Sequence, residues 1–550
     1  LYGWYYFKID QNAQDQTVTF RIMNRDGWMN TEDKPVYSYN QVDWLRIDES
    51  WMNSKDLFFQ HRFTNDSVWI AQCIPYSYSK LLEDLDSLSS SPYIEYEFIG
   101  ESVHGRQIPL VTISDTRIPD DEKRCVWITS RQHPMETPPS FTIKGMMEYL
   151  VGVRDDGGEK LLERLIFKFV PMVNVDGVAE GYSRHNVNGI NLNRVWCSDS
   201  TYSGEEPEVE ITHRAIDEWI YGGNRIDYYN DMHAAPDYYD FGYRLSESYS
   251  YGAYYADVTT YLKHLQIHDV YHNWTRWRDL DQNYALGVVI MALFDQHGLL
   301  TTSNEHSWVM RYNGEYHTTD DLLSEGPMYL KAIDAYLFPL AFTNQYGQEI
   351  EQFPNAEIYI TVLDFDENES NGVVDTVAVT ISSEINGDAE DLSLQETYGH
   401  TGVFINDNGL PIAFSEAVPH NGILEVIEGE RVKAVYQDDD FPLDSSWVFI
   451  DVPSSSHVSH VDFSEEGAVK VSPNPFNSRT AISFTLEKPA EVEFAIYDLM
   501  GRYVVNPQIQ NYSSGEHIFE WDASTHSSGV YFLRLKSSEL ELIKKLTLLK

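Results

Sequence analysis

The chain has 550 residues, 42% of them hydrophobic and 14% aromatic, with a formal net charge of −47. That length is too great for one core, so about three or four domains are expected, and the apolar content rules out a disordered chain. The acidity repels phosphate and excludes nucleic acid as a partner, and no apolar run approaches the roughly eighteen residues of a transmembrane helix.

The opening residues, Leu1-Tyr2-Gly3-Trp4, carry neither a signal peptide nor an initiating Met, so the chain reads as a mature form or a fragment. Residues 1–88 read as an all-β sandwich. Trp4 to Phe7 is an aromatic run, Val18, Phe20 and Ile22 alternate with polar neighbours, and residues 24–27 (Asn-Arg-Asp-Gly) signal a turn. Cys73, Cys125 and Cys197 are too few for a disulfide framework and fit no zinc knuckle.

Over residues 89–342 strands alternate with helices, which predicts an α/β domain with a mixed sheet and helices on both faces. Strands are expected at Val126–Thr129, Ile166–Val173, Ile226–Met232 and Leu299–Ser303. Helices are expected at Ser140–Val151, Glu206–Ile220, Gly287–Phe294 and Pro327–Leu340, and residues 174–177 (Asn-Val-Asp-Gly) read as a turn. Residues 343–458 are again β, with Ile358–Val362 and Val373–Ile381 separated by an acidic turn. A Ser-rich linker over 453–459 precedes residues 465–550, where short strands recur at Ala481–Phe484, Val492–Tyr497 and Val530–Leu535.

Ligands of open α/β sheets gather at the carboxyl ends of strands. His133 and Glu136 follow the first of these strands, and Arg184, Asn193 and Arg194 follow the second. His233 follows the third strand and Glu305 the fourth. Taken singly, an H-x-x-E spacing also describes an ordinary loop His with a solvated Glu. Together, two imidazoles and a carboxylate would leave a fourth zinc position open to water, as catalytic zinc requires. Glu305 can then take a proton from that water and pass it to a leaving amine. Asp231 is either an orienting partner for a ligand or a surface carboxylate.

Several stretches resemble the zinc carboxypeptidase family, in its cytosolic-carboxypeptidase-like branch. They are Pro75-Tyr76-Ser77-Tyr78-Ser79, Arg131-Gln132-His133-Pro134-Met135-Glu136-Thr137-Pro138, Pro171 to Arg194, and Asn230-Asp231-Met232-His233. The resemblance implies a phosphorylase/hydrolase-like carboxypeptidase fold, one zinc held by His133, Glu136 and His233, and Glu305 as general base. It implies Arg184 as the group polarising the scissile carbonyl, and Asn193 and Arg194 as the grip on the substrate's terminal carboxylate. Tyr284 stands where the family has a substrate-capping tyrosine, or is a helix-start aromatic of the core. Two departures stand out: Met135 replaces a glycine and can crowd the metal loop, and Ala234-Ala235 follow His233.

Residues 343–458 resemble secreted Ig-like sandwiches, through Asp375-Thr376-Val377 and Thr401-Gly402-Val403-Phe404. There Asp364, Asp366 and Asn368 alternate either as a calcium site or as a solvated acidic turn. The last segment resembles the C-terminal sorting domain of the type IX secretion system. Ser472-Pro473-Asn474-Pro475-Phe476-Asn477, Tyr497-Asp498-Leu499-Met500-Gly501, Ser528-Gly529-Val530-Tyr531-Phe532 and the basic tail carry that likeness. It implies export across an outer membrane by that machinery, to a secreted or surface-attached location.

The expectation is therefore an exported zinc metallocarboxypeptidase acting on peptide and protein C-termini. Two rivals are a zinc amidohydrolase for side-chain glutamyl or cell-wall peptide linkages, and a non-catalytic surface binding protein on the same fold.

Overall fold

The computed structural model describes residues 4–548 except 24–33, 48, 156, 197–205, 236–240, 249, 251, 269–276, 281–286, 308–314, 345–349, 351, 355, 365–374, 398–401, 407, 438–444, 454–468, 475, 487–489, 499–502, 513–514, 525, 527–528 and 538–540. The expected turn at 24–27, Cys197, Tyr284, Asp366 and Asn368 fall outside the described residues. Two compact units result, Leu1–Ser455 and Ser456–Lys550.

In the first unit the N-terminal strands form two small sheets. One joins Tyr6–Ile9, Val68–Ala71, Val36–Ser38 and Leu45–Arg46; the other joins Thr17–Ile22, Asp56–Arg62 and Glu49–Asn53. The aromatic-rich alternation supplies their common core: Phe20 stacks on Phe59 at 4.9 Å, and Tyr37, Ile47, Phe63 and Ile70 are buried beside them.

An eight-stranded sheet follows. Across it run Trp277–Leu280, Phe241–Leu245, Thr301–Ser307, Tyr228–Ala235, Arg124–Ser130, Leu165–Val170, Gln107–Ile113 and Ile94–Glu101. The four central strands, from Thr301–Ser307 to Leu165–Val170, are mutually parallel. Every residue of Arg124–Ser130 is buried, as a strand covered on both faces must be, which is why its sequence reads as an unbroken apolar run. Strand order places the carboxyl ends of three neighbouring parallel strands side by side, and the site is built there.

Three expectations are corrected. Residues 174–177 are not a free turn: Asn174 caps the helix Val175–Glu180, its side chain accepting from Gly177 N at 3.0 Å. The closing helix spans Thr319–Leu337, starting eight residues earlier than Pro327, because Thr318 and Asp321 form a capping box. It stops before Leu340 because Pro339 disfavours helical backbone at Phe338, and Leu340–Thr343 instead becomes a strand pairing with Glu357–Leu363. The strand expected at Leu299–Ser303 runs from Thr301 to Ser307, so it extends past Glu305.

The strand Glu357–Leu363 belongs to a β-sheet structure that also includes Thr376–Ser383, Ala389–Glu396, Arg431–Gln437 and Ser445–Asp451. Within it Asp364 is buried and accepts from Tyr436 Oη at 2.7 Å, so this carboxylate is engaged by the core and not displayed on an acidic turn. The second unit has a three-stranded and a four-stranded sheet around Phe476, Trp521, Tyr531, Leu533 and Leu546. No helix among the described residues is long and apolar enough to cross a membrane.

Candidate active site

His133 and Glu136 lie in the loop between the strand Arg124–Ser130 and the helix Pro138–Leu150. Arg131 shapes that loop. It adopts a left-handed backbone (φ 60°), is buried, and donates to Tyr76 O, Ser140 Oγ and Pro134 O. Burial lowers its guanidinium pKa to about 10. Gly177 lets the loop close in, since a Cβ there would stand 2.5 Å from Pro134 Cγ.

His233 and Glu305 were expected beyond their strands, but both lie within them, as directly paired residues of the parallel strands Tyr228–Ala235 and Thr301–Ser307. Side chains of paired residues share a face of the sheet, so register alone puts Glu305 beside His233.

His133, Glu136 and His233 are buried, with their ligand atoms all within 4.8 Å of one another. Each imidazole turns Nδ1 toward Glu136, at 2.8 Å from Oε1 for His133 and 2.8 Å from Oε2 for His233. Each Nε2 is held from behind: His133 by Asn191 Oδ1 at 3.1 Å, His233 by Asp231 Oδ2 at 2.6 Å. A proton kept on Nε2 by these acceptors leaves Nδ1 as the donor atom for a metal. Asp231 is itself buried and fixed, accepting from Thr129 Oγ1 at 2.8 Å and Gln132 Nε2 at 2.7 Å. It is therefore an orienting residue and not a surface carboxylate. Gln132 also accepts from Trp196 Nε1 at 2.8 Å, and its carbonyl accepts from Asn174 Nδ2 at 3.1 Å.

The electrostatics call for a cation. Burial opposes charge on His233, yet Asp231 and Glu136 raise its pKa well above the ordinary value. Burial likewise opposes ionised Glu136, but His133 and His233 outweigh it and hold the carboxyl well below the usual range. His133 is shifted down, first by burial, with His233 and Arg184 adding to it. Two Nδ1 atoms and one carboxylate converging in such a pocket fit a single zinc ion with an open position. Glu305 is shifted up, first by burial and then by Glu136 and Asp231, against the pull of His233 and Arg184.

Arg184 is half-buried and close enough for its charge to act on both His133 and Glu305. Asn193, expected in the grip, is buried beside His233. Its Oδ1 accepts from Val289 N at 3.0 Å, and its Nδ2 stands 3.0 Å from His233 Nε2. Arg194, half-buried, donates to the Asn193 carbonyl. Met135 is buried with Ala234 in a small cluster against Trp4 and Tyr316. The sequence reading passed over Arg131, Gln132 and Asn191 as working residues; their position inside or next to the ligand motifs was the available signal.

A mixed sheet thus brings two imidazoles and a carboxylate together, with the carboxylate of Glu305 beside them, in an arrangement that can hold one metal ion. Comparison with known proteins makes that specific. Residues 81–313 match the zinc carboxypeptidase family, 1–72 the cytosolic carboxypeptidase N-terminal domain, and 470–548 the secretion system C-terminal sorting domain. Residues 81–313 are thus similar in sequence to the zinc carboxypeptidase family. Cytosolic carboxypeptidase 6 of Homo sapiens is 31% identical over 263 residues, covering 43% of this chain and 48% of that protein. The Caenorhabditis elegans protein of the same name is 29% identical over 226 residues, 36% of this chain and 47% of that one. The chain thus spans about half the length of the curated relatives it matches. A metallo-carboxypeptidase structure from Burkholderia cenocepacia shares the fold, with TM-score 0.54 and 24% identity over 61% of this chain and 89% of that one.

Proposed function

We propose that this protein is an exported zinc-dependent metallocarboxypeptidase that removes residues from peptide and protein C-termini. The observation that carries the reading is the convergence of His133 Nδ1, Glu136 and His233 Nδ1 on one buried point, with Glu305 paired in register to His233. Zinc bound by these three residues would supply Lewis acidity and a water of lowered pKa. Glu305 takes the proton of the attacking water and delivers it to the leaving amine, a proton that its carboxylate, raised by burial to about 8, readily accepts. Arg184 stabilises the oxyanion, and Arg194 grips the terminal carboxylate through its planar fork. Asn193 belongs to this unit by donating to Asp231, the residue behind His233, and by setting the carbonyl on which Arg194 rests. Tyr284 is proposed to cap the substrate.

The match of residues 470–548 supports export through the type IX machinery, to the medium or the cell surface. The four-domain division at 1–88, 89–342, 343–458 and 465–550 belongs to the same proposal.

The test is incubation of zinc-loaded protein with linear and branched peptides, with and without chelator, reading products by mass. Stepwise loss of C-terminal residues, abolished by chelation, is expected. Release from branched linkages alone would make it an amidohydrolase, and intact peptides that remain bound would make it a binding protein.

A further inference from the structure

Beyond the active site, two other groups of histidines and carboxylates converge among the described residues. One, His104 with Asp176 and Glu180, is already neutralised: Arg106 Nη1 donates to Asp176 at 2.6 Å and to Glu180 at 2.9 Å. In the other, Asp217 faces two imidazoles, those of His213 and His297.

We propose that His213, Asp217 and His297 form a second binding site, for a divalent transition-metal ion such as zinc, which ties two helices of the catalytic domain together. His213 and Asp217 are four residues apart on the helix Pro207–Tyr221, so they share one face. His297 is the last residue of the helix Val289–His297, which Gly298 ends in left-handed backbone (φ 68°) with its N–H on Phe294 O at 2.8 Å.

Geometry separates a metal site from an ordinary ion pair here. His297 Nε2 is 2.9 Å from Asp217 Oδ1, yet the two make no hydrogen bond, and neither atom is reached by solvent. The His297 side chain is only 8% exposed. A His–Asp pair alone would align its N–H on the carboxylate, because a buried unmatched polar atom costs about 1–3 kcal/mol. A metal ion bound by both would satisfy these two unpartnered atoms. Ligands about 2 Å from tetrahedral zinc stand roughly 3.3 Å apart. The 2.9 Å pair fits, and His213 Nε2, 4.0 Å from Asp217 Oδ1, needs only a small ring movement. Gln296 Oε1 accepts from His213 Nε2 at 2.6 Å, a hydrogen bond that the metal would replace. Two imidazoles with one carboxylate select zinc and its neighbours over calcium or magnesium.

The site is independent of the catalytic ligands, and so is its test. In a Glu136→Gln, His133→Ala double variant, which lacks catalytic ligands, titration calorimetry with zinc chloride is expected to find one equivalent bound, with a rise in Tm. Adding His297→Gln or Asp217→Asn should remove both. In the otherwise unaltered full chain, His213→Gln and His297→Gln should each bind one zinc fewer while keeping peptidase activity. The proposal is overturned if the double variant binds no zinc, or if the His297 and Asp217 changes leave its binding intact. The Asp217 change, at a half-exposed side chain, guards against loss by misfolding.

Discussion

At the residue scale, the imidazoles depend on what stands behind them. Asp231 accepts from His233 Nε2 and is fixed by Thr129 and Gln132, so it sets both the tautomer and the tilt of the ring. Asp231→Asn should weaken zinc binding at the catalytic site by roughly 10–100-fold, measured by chelator competition, with little change in overall stability. Glu305 touches the chemistry without holding the metal in the proposed mechanism. Glu305→Gln should lower kcat by roughly 10²–10⁴-fold while zinc affinity at that site is unchanged; full activity in this variant would remove Glu305 as the base. Away from the site, Asp115 accepts from Arg117 N, Nε and Nη2, and the side-chain bond with Arg117 holds its pKa at about 2 against the usual 3.8. A depressed folded-state value stabilises the fold above the unfolded pKa. That contribution is present above about pH 4 and disappears as pH falls through about 2, so acid unfolding of Asp115→Asn should be less steep over this window.

At the element scale, the helices Pro138–Leu150 and Thr319–Leu337 cross at backbone contact. A Cβ on Gly145 would stand 1.9 Å from Leu323 O, and one on Gly326 would stand 2.3 Å from Met146 N. Pro327 explains part of the closeness: lacking an N–H, it leaves Leu323 O without its helical partner and turned toward Gly145. Gly145→Ala or Gly326→Ala should cost about 1–3 kcal/mol through overpacking, read as a lower denaturant midpoint. Because the first of these helices carries the metal loop at its start, activity should fall with stability in these variants. The element boundaries that went unread in the sequence had local causes. A capping box at Thr318 started a helix before its apolar stripe was obvious, and Pro339 ended it and released a strand.

At the scale of the molecule, Leu1–Ser455 and Ser456–Lys550 are separate compact units, each with its own core. A chain ending at Ser455 should therefore unfold at the same denaturant midpoint as the first unit of the full protein and keep its peptidase activity. Export from the native host should be lost. An unfolded or inactive product would show that the first unit needs the second. The −47 charge lies almost entirely in the first unit, yet at the candidate site carboxylates and imidazoles are buried together and balance each other.

The chemistry of the site was legible in the order of residues. His133 and Glu136 follow an apolar run that stops, while His233 and Glu305 lie in the carboxyl halves of their strands. Local sequence also determined the buried central strand, through the unbroken run at Arg124–Ser130, and the paired aromatic sheets at the N-terminus. Tertiary structure alone decided which strands are neighbours. Once Tyr228–Ala235 and Thr301–Ser307 align in parallel, His233 meets Glu305, and Asp231 falls behind the ring it orients. It also decided that Asn193 serves His233 and Val289, and that His213, Asp217 and His297 meet at all. Contacts between residues some forty or more positions apart depend on packing and register, and no local pattern encodes those distances.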